Sequence, residues 1–461
     1  MQLDFPPTRR TIPESAKPTR ALLPYLPQLS LAERNVRWDR LRKKMVHGKI
    51  DALLLLGNDI SSGNGMANVR YLLQVGSVIG ADALFPLVGD PVVWTNTAHM
   101  NRPAHQHLST QDWSTDFRTK GGPPALADEI RKRVLDKSRI GLVSFSSYVQ
   151  TQPTFLHHDI LGLESLLPNA RFVDATALLS EMRMIKSEEE IEMMRKAGAI
   201  ARMAINAMVA SARPGVPDAA VYAEMLRTQI ANGSEPILFN LFGAGPVDHP
   251  DDELWHLLHG AEHPLTPTMR PLEAGDLIVS EFHTQYGGYR VHTEFTAYLG
   301  NNAPKQLLRL WDVAVECLQA SEEALVPGRT IREALAMIRR PAERAGVDWV
   351  ELGFNSKGTA SPEFPTTVYA EGYGNNPGNG EGILDLLLEE RMTLGNNVDL
   401  HDSQWKYDVG VMLGDFMVVR PGHAEKIVGT PLEMAQIDFT SASAEVVLPP
   451  ATQPSELRCT S

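Results

Sequence analysis

Three short stretches of the chain carry acidic residues and histidines at alternate positions: Glu281 with His283, His292 with Glu294, and Asp399 with His401. On a β-strand, side chains two apart share a face, so each pair presents its two groups together. If these strands pack side by side, six ionisable groups converge. Three of them are histidines, which exchange protons most readily near neutral pH. Buried charges without a task are costly, and a surface strand pair has no need of three histidines. Such a set supports general acid/base catalysis, with histidine moving the proton and carboxylates orienting water or holding a cation. The plainer alternative is a hydrogen-bonded polar cluster. A second histidine group, His249, His256 and His259 with Glu253 one turn from His256, either contacts substrate or marks a surface helix.

The elements that must position these groups are readable from periodicity. Strand pairs are expected at 277–284 and 288–298, and again at 397–400 and 411–420. Ser187 and Glu190 form a capping box, and Ile191, Met194, Ala197 and Ala201 follow at helical spacing. Further helices are expected over 217–231, 305–324 and 330–345. This half therefore reads as α+β, with long helices over a curved antiparallel sheet. Ahead of it, Ser30 caps a helix through Arg34, Trp38 and Leu41. Strands at 51–57, 69–72, 81–88 and 91–94, a helix at 125–134 and strands at 140–144 and 171–174 then make a three-layer α/β domain. The expected organisation is an arm over 1–30, an α/β domain over 31–180, a catalytic domain over 181–440 and a tail over 441–461. The run 372–382, with five Gly and three Asn, reads as a long loop and not a phosphate loop, because no Gly-Lys-Ser/Thr follows a strand.

Composition narrows the function. The 461 residues exceed one ordinary core, and 43% hydrophobic with 21% charged residues are globular values. A formal charge of −13 argues against a nucleic-acid partner, which needs a basic face. Two cysteines, Cys317 and Cys459, make no disulfide framework. The first residues lack the apolar core of a secretory leader, and no apolar run approaches the roughly 18 residues that cross a bilayer. A cytoplasmic protein acting on a small molecule, with no membrane partner, is the expectation.

Five motifs carry a family resemblance, in order, over roughly 180–425. MRMIKSEEEIEMMRKA at 182–197 resembles the opening of the catalytic domain in Xaa-Pro dipeptidases and creatinases. GDLIVSEFHTQYGGYRVHTEFT at 275–296 resembles the family's paired strands, "G-D-x-x-x-x-D" and "G-Y-x-x-D-x-x-R-T". LGFNSKG at 352–358 resembles "G-x-H-x-H-G", MTLGNNV at 392–398 "M-x-x-x-x-E-P", and VMLGDFMVV at 411–419 "x-R-x-E-D-x-x-x-V". The resemblance to the creatinase/Xaa-Pro aminopeptidase superfamily implies an α/β creatinase-type N-terminal domain, an α+β pita-bread catalytic domain, and a homodimer. It also implies two metal ions held by Asp, Asp, His, Glu and Glu. Those positions hold Glu281, His292, Lys357, Asn397 and Gly414. Two divalent ions need bridging carboxylates, which Asn397 and Gly414 cannot supply. The Lys357 ammonium would stand where an imidazole ligates, a heavy cost beside a metal in a dry pocket. It can instead replace part of the missing metal charge and pair with Glu281.

The resemblance also suggests roles. Metal-free creatinases carry a glutamate two residues after the lost second aspartate, and Glu294 matches it, implying a grip on a substrate cation. GAEHPLT at 260–266 resembles the stretch bearing the creatinase acid–base histidine, with His263 one residue off register. SPEFPTTVY at 361–369 resembles a segment of dimethylsulfoniopropionate lyases, where Glu363 or Glu371 would be a base. The leading expectation is metal-independent hydrolysis of a C–N bond in a small polar nitrogen compound. Glu281, His292, Lys357, His263 and His401 would be catalytic, and Glu294, His283, Asp399 and Glu363 would bind substrate. No cofactor is expected. The alternatives are base-catalysed elimination, a hydrolase with one zinc-type ion at Glu281 and His292 (with His283 or His401), and a binding protein without catalysis.

Overall fold

Strand β1 (Ala52–Gly57) is an unbroken apolar run with every residue buried. A strand of that kind must be covered on both faces. It lies inside a six-stranded sheet of order β4-β3-β2-β1-β5-β6. The partners are β2 (Ala81–Pro86), β3 (Val92–Thr95), β4 (Asp116–Thr119), β5 (Arg139–Val143) and β6 (Arg171–Asp174). One face receives the helix Leu31–Gly48, capped by Ser30, through Trp38, Leu41 and Met45 against Leu53, Leu55 and Phe85. The other receives the helices Pro123–Lys132 and His157–Leu166, through Leu126, Ile130 and Leu163 against Leu54, Leu84 and Trp94. The computed structural model describes residues 25–58, 64–75, 80–95, 110–119, 121–146, 154–236, 240–247, 268–367 and 381–439. The stretch 69–72, expected as a strand, lies within the helix Ala67–Leu73. Val69, Tyr71, Leu72 and Leu73 bury against the sheet from above, so the apolar run serves face packing and not strand pairing.

The capping box forms as spaced: the Ser187 hydroxyl accepts from the Glu190 N–H and the Glu190 carboxylate accepts from the Ser187 N–H. It opens the helix Glu188–Ser211, which lies with Asp218–Ala231, Lys305–Ala324 and Ile331–Ala345 around the second core. One sheet of that half has the order β16-β9-β8-β7, built from β7 (Asn240–Pro246), β8 (Asp276–Tyr286), β9 (Tyr289–Tyr298) and β16 (Ala435–Gln436). Gly287 and Gly288 join β8 to β9 with φ of 59° and 86°, the left-handed pair a two-residue hairpin needs. The other sheet has the order β11-β10-β12-β14-β15, with β13 also paired to β12. Its strands are β10 (Asp348–Ser356), β11 (Glu363–Thr366), β12 (Thr393–Asp402), β13 (Lys406–Met412), β14 (Phe416–Val418) and β15 (Glu425–Lys426).

The strand expected over 411–420 is divided between β13 and β14. Between them Gly414 leaves the ladder to bridge Glu294 on β9. Its N–H donates to the Glu294 carbonyl at 3.1 Å. That bridge joins the two sheets where the ionisable residues stand. Among the described residues, no helix is long and apolar enough to cross a membrane.

Candidate active site

Strands β8 and β9 set Glu281 opposite Glu294 and His283 opposite His292 in one ladder. Strands β10 and β12 set Glu351 opposite Asp399. These pairs meet in the interior. His292 is wholly buried, its Nε2 lying 3.2 Å from Glu294 Oε1 and 3.4 Å from Glu281 Oε1. His283 Nε2 is 4.0 Å from Glu281 Oε1, and the two imidazole rings stand 6.0 Å apart. Glu294 is also fully buried: its Oε1 accepts from Asn397 Nδ2 at 2.7 Å and its Oε2 from the Val398 N–H at 3.2 Å. The Asn355 amide in turn donates to Asn397 Oδ1.

Lys357 is buried and provides the positive charge facing these carboxyls. Burial pushes its pKa down to about 8, against the pull of Glu281, Glu294 and Glu351. Burial pushes Glu281 up to about 7, opposed by Lys357. Glu351 rises to about 8 through burial and the Glu281 charge, again opposed by Lys357. Glu294 and Asp399 lie well above the carboxylate range, through burial and then the neighbouring carboxyls, and a hydrogen bond between them works the other way on Asp399. Burial, then Lys357, holds His283 and His292 well below the ordinary imidazole value. Four carboxyls facing one ammonium cannot all ionise in a low-dielectric interior, so the group shares protons and its imidazoles are neutral.

The loop bearing Lys357 is held from the other half of the chain. Asn64 Oδ1 accepts from the Ser361 N–H at 3.0 Å and from Arg290 Nη1 at 2.9 Å, and its Nδ2 donates to the Ser361 carbonyl at 2.7 Å. Glu363, expected to bind substrate, does not join the group. Its carboxylate lies 3.1 Å from both Lys186 Nζ and Arg183 Nε and accepts from the Ala360 N–H. Burial alone would raise its pKa, but Lys186 and then Arg183 hold it below the ordinary range. A carboxylate so held is a poor base. His401 is buried beyond Asp399 on β12, opposite Asp348. His263, His249, His256, His259, Glu253 and Glu371, the loop residues 372–380 and the tail 441–461 lie outside the described residues. Glu351 escaped the alternation argument because no strand was expected over 348–356; its place on β10 opposite Asp399 brings it to the group.

The two-ion site of the resembled family does not fit these residues. Lys357 brings a cation, and Asn397 turns a donor toward Glu294. A Cβ at Gly414 would stand 2.9 Å from Glu294 Oε2 and 2.5 Å from the Asn396 carbonyl, so no side chain can extend there. The Glu294 carboxylate occupies the ground that a residue-414 carboxylate would need. Glu281, His292 and Glu294 do offer three ligand atoms within 4.8 Å of one another, enough to hold a single ion.

A three-layer α/β domain followed by paired curved sheets with a buried polar centre defines a pita-bread protein. The chain belongs to the creatinase/Xaa-Pro aminopeptidase superfamily: residues 192–421 match metallopeptidase family M24, and residues 37–185 match the creatinase/prolidase N-terminal domain. It is 26% identical over 275 residues to an ectoine hydrolase of Halomonas elongata, covering 58% of this chain and 64% of that one. It is 26% identical over 272 residues to an Xaa-Pro dipeptidase of Lactobacillus helveticus, covering 58% and 65%. Each match thus spans less than two-thirds of the relative's length. A solved Xaa-Pro dipeptidase from Bacillus anthracis superposes with a TM-score of 0.68 at 19% identity, over 87% of this chain and 99% of that one, a likeness of fold.

Proposed function

We propose that the chain is a hydrolase that opens a C–N bond of a small, polar, nitrogen-containing molecule by His/Glu acid–base chemistry. The observation that carries this reading is the buried Lys357 among Glu281, Glu294 and Glu351, at the position where the superfamily holds two ions. The similarity to an ectoine hydrolase supports the substrate class. His292, neutral and flanked by two carboxyl groups, takes a proton from water as the water oxygen attacks the substrate carbon. The resulting imidazolium is stabilised by the ionised form of Glu281, 3.4 Å from its Nε2, and it returns the proton to the nitrogen as the C–N bond breaks. The Lys357 ammonium stabilises the charge that develops on the attacked group. Glu281, 8% exposed, and the half-buried Glu351 hold the substrate cation, and the fully buried Glu294 orients His292 and Asn397.

A second reading keeps one ion at Glu281, His292 and Glu294, supported by their mutual reach. One experiment separates the readings. Chelator-dialysed protein is analysed for metal and assayed with ectoine, a guanidino acid and an Xaa-Pro dipeptide. The proposal expects hydrolysis of a non-peptide C–N bond that survives dialysis, with one water consumed per turnover. A stoichiometric ion whose removal abolishes turnover would establish the single-ion reading, and an alkene-bearing product would establish elimination. Under the proposal His292→Ala lowers kcat by about 100-fold or more.

A further inference from the structure

The N-terminal sheet carries a cleft that the catalytic reading does not use. Strands β1, β3, β4, β5 and β6 run in one direction and β2 in the other. At the carboxyl edge of the sheet a cleft of about 270 Å³ is lined by Gly57 and Asn58 at the end of β1, Asp82 at the start of β2, Gly122 after β4, and Thr154 and Asp159 after β5. Crevices outside the carboxyl ends of such strands, where connections diverge, are where open α/β sheets take ligands.

Two buried side chains are built into its wall. Asp82 is 8% exposed, and its Oδ2 accepts from the Gly122 N–H at 2.7 Å. Thr154 is 4% exposed, and its hydroxyl has no hydrogen-bond partner. A buried hydroxyl without a partner is costly unless something else bonds it. Asp159 adds a second carboxylate, tied to the Leu156 N–H at 3.1 Å and facing the exposed His158. Among the described residues lining the cleft there is no lysine, arginine or histidine. Burial, with Asp159 nearby, pushes Asp82 up to about 6 despite the Gly122 N–H.

We infer that this cleft is a second ligand site, which takes a small organic cation rich in N–H donors, of the guanidinium or primary ammonium class, with Asp82 as counter-ion and the Thr154 hydroxyl as acceptor. An anion would meet two carboxylates there. The cleft's volume suits a ligand of a few heavy atoms. None of its described lining residues belongs to the catalytic centre, so the inference goes beyond the proposed reaction.

The test is calorimetric titration of the full-length protein with methylguanidinium, using Asp82→Asn, Thr154→Val and Glu351→Gln variants. The expected result is a saturable site weakened about tenfold or more by Asp82→Asn and several-fold by Thr154→Val, but untouched by Glu351→Gln. Turnover in the Asp82→Asn protein should match the unaltered protein. Absence of binding, binding removed only by Glu351→Gln, or equal affinity in Thr154→Val would overturn the inference. If Asp82→Asn fails to fold, the near-isosteric Thr154→Val decides it alone.

Discussion

Lys357 decides the character of the catalytic centre because it is the cation that Glu281, Glu294 and Glu351 face together. Replacing it with an apolar side chain of similar length leaves the carboxyls with no reason to ionise. Lys357→Met should therefore fold but lose about 100-fold in kcat, measured as turnover at constant pH with folding checked by circular dichroism. Undiminished turnover would remove the ammonium from the mechanism. Gly414 has the opposite character, since its value lies in what it leaves empty. A Cβ there would press on Glu294 Oε2 and on the Asn396 carbonyl, and backbone cannot yield cheaply. Gly414→Ala should cost about 1–3 kcal/mol in denaturant unfolding, the price of overpacking a tight interior. A midpoint equal to that of the unaltered protein would mean that Glu294 has another resting place.

At the scale of elements, the strand β11 is fastened to the segment joining the two halves of the chain. Glu363 meets Lys186 and Arg183 at 3.1 Å, with all three side chains buried. Removing one member of such a set leaves the others as uncompensated buried charges. Glu363→Gln should destabilise the protein by about 3–5 kcal/mol. The pH dependence follows from the direction of the shift. The Glu363 pKa is lowered from 4.5 in the folded state, so the unfolded chain binds its proton more readily. Its contribution is therefore full above about pH 4.5 and is lost as the pH falls through the folded value. The stability gap between the unaltered protein and Glu363→Gln should be constant near neutrality and shrink in acid. Parallel unfolding series at pH 7 and below pH 4 check this, and a gap that widened in acid would contradict the assignment.

Across the whole molecule, the first helix is bound to the second half at its cap, where the Ser30 N–H and hydroxyl donate to Glu189 at 2.7 and 2.6 Å, and along its body through the Arg37 guanidinium. Arg37 donates to the Tyr71 carbonyl at 2.5 Å and to the Tyr289 hydroxyl at 3.4 Å, and lies 3.5 Å from Glu190 in the capping box. Its charge sits 3.9 Å from the centre of the Tyr71 ring. Asn64 makes a further connection, to Ser361 and Arg290 beside the catalytic loop, and Arg70 another, to Glu235 at 2.5 Å. Arg37→Met should cost about 3 kcal/mol and split the calorimetric transition into two, one for each half. A single transition at an unchanged midpoint would show that the halves couple through other contacts.

Much of this was determined along the chain. The capping box, the apolar run of β1 and the alternation of Glu281, His283, His292 and Glu294 depend on neighbours in sequence, and each reappears in the fold as spaced. The change of residue type at Lys357, Asn397 and Gly414 is likewise legible in the sequence, because motif order locates those positions. Residues 69–72 misled because a short apolar run suits a strand or the underside of a helix equally. Other matters were settled only when distant segments met. Glu351 enters the centre through its ladder position opposite Asp399, and Glu363 leaves it because Lys186, 177 residues away, takes its carboxylate. Local periodicity states which way a side chain points, but its charge and its task depend on what faces it, and tertiary packing alone supplies that.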